Sequence, residues 1–147
     1  MDLAALYDAW APRLLGYMIS ITRDGHRAED ALQNLFLKLA AGDSEIREPV
    51  VYLFRAARNE ALRVSKRRPE QPLGAKEFLA SRDGATDPEI LSALDALPPD
   101  QAEVVLLHVV EGLAFREVGA VLGIPQDTAA SRYRYGIEKL RWTLKID

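Results

Sequence analysis

The sequence predicts an all-α protein of two small helical domains, residues 1–68 and 87–147, joined by a flexible linker at 69–86. Three observations predict it. Apolar residues recur at three- and four-residue steps through most of the chain, which puts them on one side of successive helices. The periodic runs are bounded by Asp, Pro and Gly at positions where helices start and stop. Residues 69–86, PEQPLGAKEFLASRDGAT, hold two prolines, two glycines and little apolar periodicity, so they read as a strap between two packed units.

The first unit reads as a bundle of three to four helices. Leu3, Leu6, Trp10, Leu14, Tyr17 and Ile21 form one apolar seam. Pro12 falls within it and removes a backbone hydrogen bond, so a bend is expected there. TRDGH, residues 22–26, is a turn centred on Asp24-Gly25. A second helix, from about residue 27 to 41, turns Ala28, Leu32, Leu35, Phe36 and Leu39 inward and stops at Gly42. Its other side shows Glu29, Asp30, Gln33, Asn34 and Lys38. Such a side can be simply solvated, but its acids and amides also suit a protein partner with basic residues.

After the polar loop 43–48, Pro49 opens a third helix that points Val50, Leu53, Phe54, Ala57, Ala61 and Val64 inward. Tyr52, Arg55, Arg58, Asn59, Leu62, Arg63 and Lys66 lie opposite. Between residues 55 and 68 six cations, including Arg67 and Arg68, stand against Glu60 alone, a local charge of +5. The whole chain carries −3, which leaves −8 on the remainder. A charge run can be only a solvated face. Arginines interleaved with aromatic and amide groups also suit single-stranded or distorted DNA, the guanidinium groups holding phosphates and the planar groups stacking on bases.

Beyond the linker, Asp87-Pro88-Glu89 starts a short helix with an Asp cap and Pro at its first position. Ile90, Leu91, Leu94 and Leu97 form its apolar side, and Pro98-Pro99 break it. The next helix, about 100–111, turns Val104, Leu107 and Val110 inward and closes at Gly112. Phe115, Val118 and Leu122 then line a short helix that Gly123 ends in a left-handed conformation, while Gly119 permits close approach of the following helix. Ile124 plugs the corner and Pro125 leads into the last helix. There Ala129, Tyr133, Gly136, Ile137, Leu140 and Leu144 share one side. Asp127, Thr128, Ser131 and Tyr135 face out, flanked by Arg132 and Arg134. An ordinary helical hairpin has the same corner, but a polar outer stripe after a tight turn is also the pattern of a helix-turn-helix that reads a DNA groove.

Several function classes fall away. With no cysteine there is neither a disulfide nor a thiolate metal site, and the two histidines, His26 and His108, lack metal-ligand spacing. No nucleophile, base and orienter triplet appears, so neither an enzyme nor a cofactor is expected. No apolar run is long enough to cross a bilayer and the N-terminus lacks signal-peptide features, so a cytoplasmic protein without membrane insertion is expected.

Three stretches, in order, resemble extracytoplasmic-function (group IV) sigma factors of bacterial RNA polymerase. AEDALQNLFLKL, from Ala28, is similar to the family's AED-x-x-Q-x-x-F-x-x-L helix in domain two. YLFRAARNEALRVSKRR, from Tyr52, resembles its W-L-x-x-I-A-x-N helix, with Asn59 at the asparagine. ALDALPPDQAEVVLLHVVEGLAFREVGAVLGIPQDTAASR, from Ala93, resembles the hallmark of domain four. The resemblance implies a subunit that directs core polymerase to promoters and assists melting. Glu29, Asp30, Gln33 and Asn34 would meet the polymerase. Tyr52, Arg55, Arg58, Asn59, Arg63, Lys66 and Arg67, with the preceding loop, would bind the minus-ten element. Gln126, Thr128, Ser131, Arg132, Arg134 and Tyr135 would bind the minus-thirty-five element. An anti-sigma factor is an expected partner, with Phe78 and Leu79 of the linker as residues it could cover. Departures from the pattern include Ala114 for a capping Ser or Thr, Asp127 for Gly, Ala130 for a cation, Tyr135 and Ile137 for frequent arginines, Tyr52 for Trp and Arg63 for Asp. They predict weak minus-thirty-five recognition, each lost phosphate contact lowering the salt slope by about one unit. The thinned charge also admits a second reading, a sigma-like regulator or decoy that binds without starting transcription.

Overall fold

The computed structural model describes residues 2–42, 46–79 and 87–146, and among them every regular element is α-helical. Helix α1 (Leu3–Thr22) runs unbroken through Pro12, starts on the Asp2 carboxylate, which accepts from the Ala5 N–H, and ends at Arg23 with φ of 58°. Helix α2 (Gly25–Ala41) starts two residues earlier than periodicity indicates, because the Asp24 side chain caps it by accepting from the His26 and Arg27 N–H groups. Helix α3 (Pro49–Val64) begins on Pro49 as expected. These three pack on one another around Leu14, Tyr17, Met18, Leu53 and Phe54, all fully buried.

Within the stretch read as linker, the structure differs from a loose strap. Residues Ala75–Leu79 form a short helix, α4, that lies on α1. The Gly74 N–H donates to the Ser20 carbonyl at 3.0 Å, and the Phe78 ring meets Tyr17 edge-on at 5.5 Å. Phe78 is only 1% exposed. One large aromatic supplies enough apolar area, about 3 kcal/mol or less, to hold a five-residue helix that could not stand alone. The expectation that Phe78 is open to a partner is therefore corrected, since the chain's own first helix covers it. Residues 43–45 of the polar loop and 80–86 of the linker lie outside the described residues.

The second group comprises α5 (Pro88–Asp95), α6 (Pro99–Val109), α7 (Phe115–Leu122) and α8 (Gln126–Leu144). Asp87 caps α5 through the Glu89 N–H, and Ile90, expected inside, is 42% exposed. Gly112 and Gly123 both adopt left-handed φ, 71° and 70°, where the chain leaves α6 and α7. At the α7–α8 corner a Cβ on Gly119 would stand 2.7 Å from the Ile124 carbonyl oxygen, so the absence of a side chain there sets how tightly the turn closes. Helix α8 packs across α5, α6 and α7, with Ala129 and Gly136 buried. His108 belongs to this core. Its Nδ1 donates to the Leu113 carbonyl at 2.7 Å, and its ring stacks on Phe115 at 4.2 Å.

The two groups touch. Helix α7 lies against α3, and α4 contacts α5 and α6, so the buried apolar residues form one continuous cluster.

Candidate polymerase and nucleic-acid interfaces

Three surfaces carry the residues singled out by sequence. On α2, Glu29, Asp30, Gln33 and Asn34 are all exposed on the side opposite the core. Lys38, expected on that same side, instead reaches across to the Glu60 carboxylate on α3. Sequence periodicity passed over Leu37, which is 67% exposed in line with Glu29 and Gln33 at four-residue steps. The available signal was its phase, which falls outside the apolar stripe. The face is thus acidic and amide-rich around one apolar side chain.

On α3, Tyr52, Arg55 and Asn59 are exposed on one side, and Lys66, exposed as well, lies two residues beyond the end of the helix. Arg63 lies beside them, its Nη2 donating to Glu60 Oε2 at 2.9 Å. Glu60, the lone acid of the basic stretch, is buried and draws both Lys38 and Arg63. Burial raises its pKa, but the hydrogen bonds from Lys38 and Arg63 outweigh that, and the net shift is downward.

Arg58 and Arg67 are not on that open side. Arg67 donates through Nε to the Ile21 carbonyl at 2.8 Å and through Nη1 to the Gln71 carbonyl at 2.6 Å, so it caps the end of α1 and ties down residues 68–71. Its burial lowers its pKa; Glu103 opposes that shift, while Arg23 and Arg58 add to it. Arg23 and Arg27 likewise donate to the Pro72 and Val64 carbonyls, so the basic cavity beside them is lined by arginines already engaged with backbone.

Arg58 turns toward the second group of helices. Its Nε donates to both oxygens of Glu103 on α6, at 3.0 and 3.4 Å, and the Tyr17 hydroxyl donates to Glu103 Oε2 at 3.2 Å. Burial lowers the Arg58 pKa, Glu103 and then Tyr17 together more than compensate, and the net shift is upward. Burial, then the Glu103 charge, pushes the Tyr17 hydroxyl well above the usual tyrosine value, so it remains a donor. Glu103 and Glu111 were missed by sequence reasoning. They lie four residues on either side of the buried Leu107, and that phase, two acids on an apolar stripe, was the signal.

On α8 the outer stripe holds Asp127, Thr128, Ser131 and Tyr135. Gln126, Arg134 and Tyr135 are exposed, and the Arg134 guanidinium sits 5.5 Å from the Tyr135 ring. Thr128, Ser131 and Arg132 are half-buried, and Arg132 Nε lies 3.7 Å from Asp100 on α6. The exposed Glu138 continues the stripe one turn on, adding a second acid beside Asp127. A helix presented this way across a corner closed by Gly119 and Gly123 has the geometry of a helix-turn-helix reader.

Comparison with known proteins bears on the same stretches. Residues 6–69 match the Sigma-70 region 2 family and residues 88–140 the Sigma-70, region 4 family. The RNA polymerase sigma factor CarQ of Myxococcus xanthus is 34% identical over 92% of this chain and 85% of its own length. The chain belongs to the extracytoplasmic-function sigma factors of bacterial RNA polymerase. A further relative of this sigma factor, SigL of Mycobacterium tuberculosis, is 28% identical over 96% of the chain and 88% of its own length. Two solved structures share the fold. One is the sigma factor RpoE in complex with the anti-sigma factor NepR from Bartonella quintana, with a TM-score of 0.68 and 21% identity over 99% of this chain and 98% of that one. The other is CnrH in complex with the cytosolic domain of CnrY, with a TM-score of 0.69 and 22% identity over 97% and 87%. This sigma factor therefore acts in promoter-specific initiation of transcription, as its family does. Among its described residues no helix is long and apolar enough to cross a membrane.

Proposed function

We propose that the chain positions core RNA polymerase on promoters through three separate surfaces: α2 toward the polymerase, the open side of α3 toward the minus-ten element, and the outer stripe of α8 toward the minus-thirty-five element. The observation that carries this reading is the exposed side of α3, where Tyr52, Arg55 and Asn59 have no core role, with Lys66 exposed just beyond the helix end. Arg55 and Lys66 supply charge for phosphates, while Tyr52 and Asn59 supply a stacking plane and an amide for an unpaired base. Holding a base out of the stack costs a few kcal/mol, which phosphate contacts and a base pocket must offset. The polymerase-facing part is Glu29, Asp30, Gln33 and Asn34, with Leu37 as an apolar anchor among polar contacts.

Region four adds register rather than strength. Arg134 and Arg132 flank the polar outer stripe of α8, while Asp127 and Glu138 repel phosphates. The sigma factor itself performs no covalent chemistry in this scheme, works in the cytoplasm where polymerase and chromosome are, and is held in check by an anti-sigma factor. A solved structure of the same fold, the sigma factor RpoE captured with the anti-sigma factor NepR, supports that last element.

Run-off transcription with core polymerase and a genomic promoter library tests the scheme. R55A/N59A should lose most promoter-dependent transcript while D30A/Q33A should lose binding to core. Full transcript from R55A/N59A would overturn the assignment of α3.

A further inference from the structure

The contact between region two and region four is polarised. In its two buried ion pairs the cations come from region two and the carboxylates from region four, whereas the one exposed pair runs the other way. Glu103, 5% exposed, takes Arg58 of α3 and the Tyr17 hydroxyl. Glu111, 8% exposed and just after α6, takes Arg13 of α1 at 2.9 Å from Nε and 2.6 Å from Nη2. The Arg13 guanidinium also sits 4.4 Å over the Trp10 ring, which fixes its orientation. A third pair, Arg116 of α7 with Glu48 at the start of α3, spans the same contact at 2.9 Å but is solvent-exposed. Between the groups lies a cavity of about 410 Å³ lined by Arg58, Arg67, Arg132, Asp100 and Glu103, so arginines of both regions converge on acids of α6.

A carboxylate engages an arginine fork with the same acceptor geometry as a phosphate. Arg58 cannot give its Nε edge to Glu103 and to a DNA strand at once. Moreover, α7 packs against α3, with Arg116 reaching Glu48 at the start of that helix. We infer that region four closes on region two in the free chain through a carboxylate latch, Glu103 and Glu111, which occupies Arg58 and Arg13 and competes with the promoter strand for the basic side of α3. The inference rests on the reading of α3 as the minus-ten surface.

The latch has the energetics of a switch. When the regions separate, both carboxylates and both guanidinium groups regain water, so much of the attraction in the closed form is offset by desolvation. What remains is a modest bias, which a partner that binds only the separated form can overcome by its differential affinity.

The chain has no cysteine, so engineered thiols report cleanly. E103Q/E111Q in the full chain should bind a fluorescent oligodeoxythymidine strand about tenfold more tightly or better than wild type, the loss of a charge-assisted hydrogen bond converted to affinity. D8N/E89Q, which removes the same charge from exposed positions, sets the part due to net charge alone. Conversely, E48C/R116C joined by a short bismaleimide should bind the strand at least about tenfold more weakly than the same variant capped with monomeric maleimide. Equal binding by the joined and capped forms would overturn the latch, as would E103Q/E111Q matching D8N/E89Q. If no form binds the strand, the assignment of α3 falls and the competition with it. If binding persists and depends on Arg55 but not on the latch, only the latch falls.

Discussion

The corner between α7 and α8 depends on one missing methyl group, and replacing Gly119 by Ala weighs two opposed effects. Alanine within a helix is favoured over glycine by about 1 kcal/mol. Against that, the new Cβ would sit 2.7 Å from the Ile124 carbonyl oxygen and 3.5 Å from the Gln126 nitrogen. Both are backbone atoms held by the left-handed Gly123 and by Pro125, so the helices must part by a few tenths of an ångström. Forcing an extra methyl into such a contact costs typically about 1–3 kcal/mol. The net is a loss of roughly 1 kcal/mol, or about 2–4 °C in Tm for a chain of this size. Gly136→Ala is the internal comparison. Its Cβ would meet Val105 Cγ2 at 2.9 Å, the end of a side chain that can rotate away. The propensity gain of about 1 kcal/mol should then largely survive, leaving that variant neutral or more stable. Thermal unfolding followed by far-UV circular dichroism distinguishes the pair. If Gly119→Ala melts at or above the wild-type temperature, or below it by less than Gly136→Ala does, the reasoning is refuted.

Three further outcomes are expected. Ala114→Ser should stabilise α7 by about 1 kcal/mol in urea unfolding, because the position now has only the Glu117 half of a capping box, the Ala114 N–H donating to Glu117 Oε1 at 2.9 Å. The lowered Glu60 pKa means its contribution is complete above the ordinary glutamate value near pH 4.3 and is lost as pH falls through the lower folded value; Glu60→Gln should therefore flatten the acid limb of the stability curve, and an unchanged slope would sink the assignment. Arg134→Ala should lower the salt slope of minus-thirty-five duplex binding by about one unit with little change in sequence preference, as measured by fluorescence anisotropy across a salt series.

The helices and their ends were legible because they depend on neighbours in sequence. The spacing of Leu3, Leu6, Trp10 and Leu14 marks α1, Asp87-Pro88 starts α5, and Gly112 and Gly123 end their helices in left-handed geometry where a side chain would be strained. The corner of α7 and α8 and the outer stripe of Thr128, Ser131 and Tyr135 follow from the same short-range rules. The three ordered motifs were enough to indicate the sigma family.

Which charged side chains remain free was another matter. Arg55 and Arg58 are three residues apart and chemically alike, yet one faces solvent and the other is engaged by Glu103, 45 positions along the chain. Arg13 meets Glu111 across 98 positions, and Phe78 inserts beside Tyr17 from a stretch with no strong periodicity. Local periodicity states only that a residue lies on a given side of its helix. Whether that side meets water, a core or an opposite charge is decided by how whole helices pack. The sequence by itself therefore determined the all-α class, the helix ends and the family. The tertiary structure alone decided that region four lies on region two and that two buried carboxylates hold arginines at their boundary.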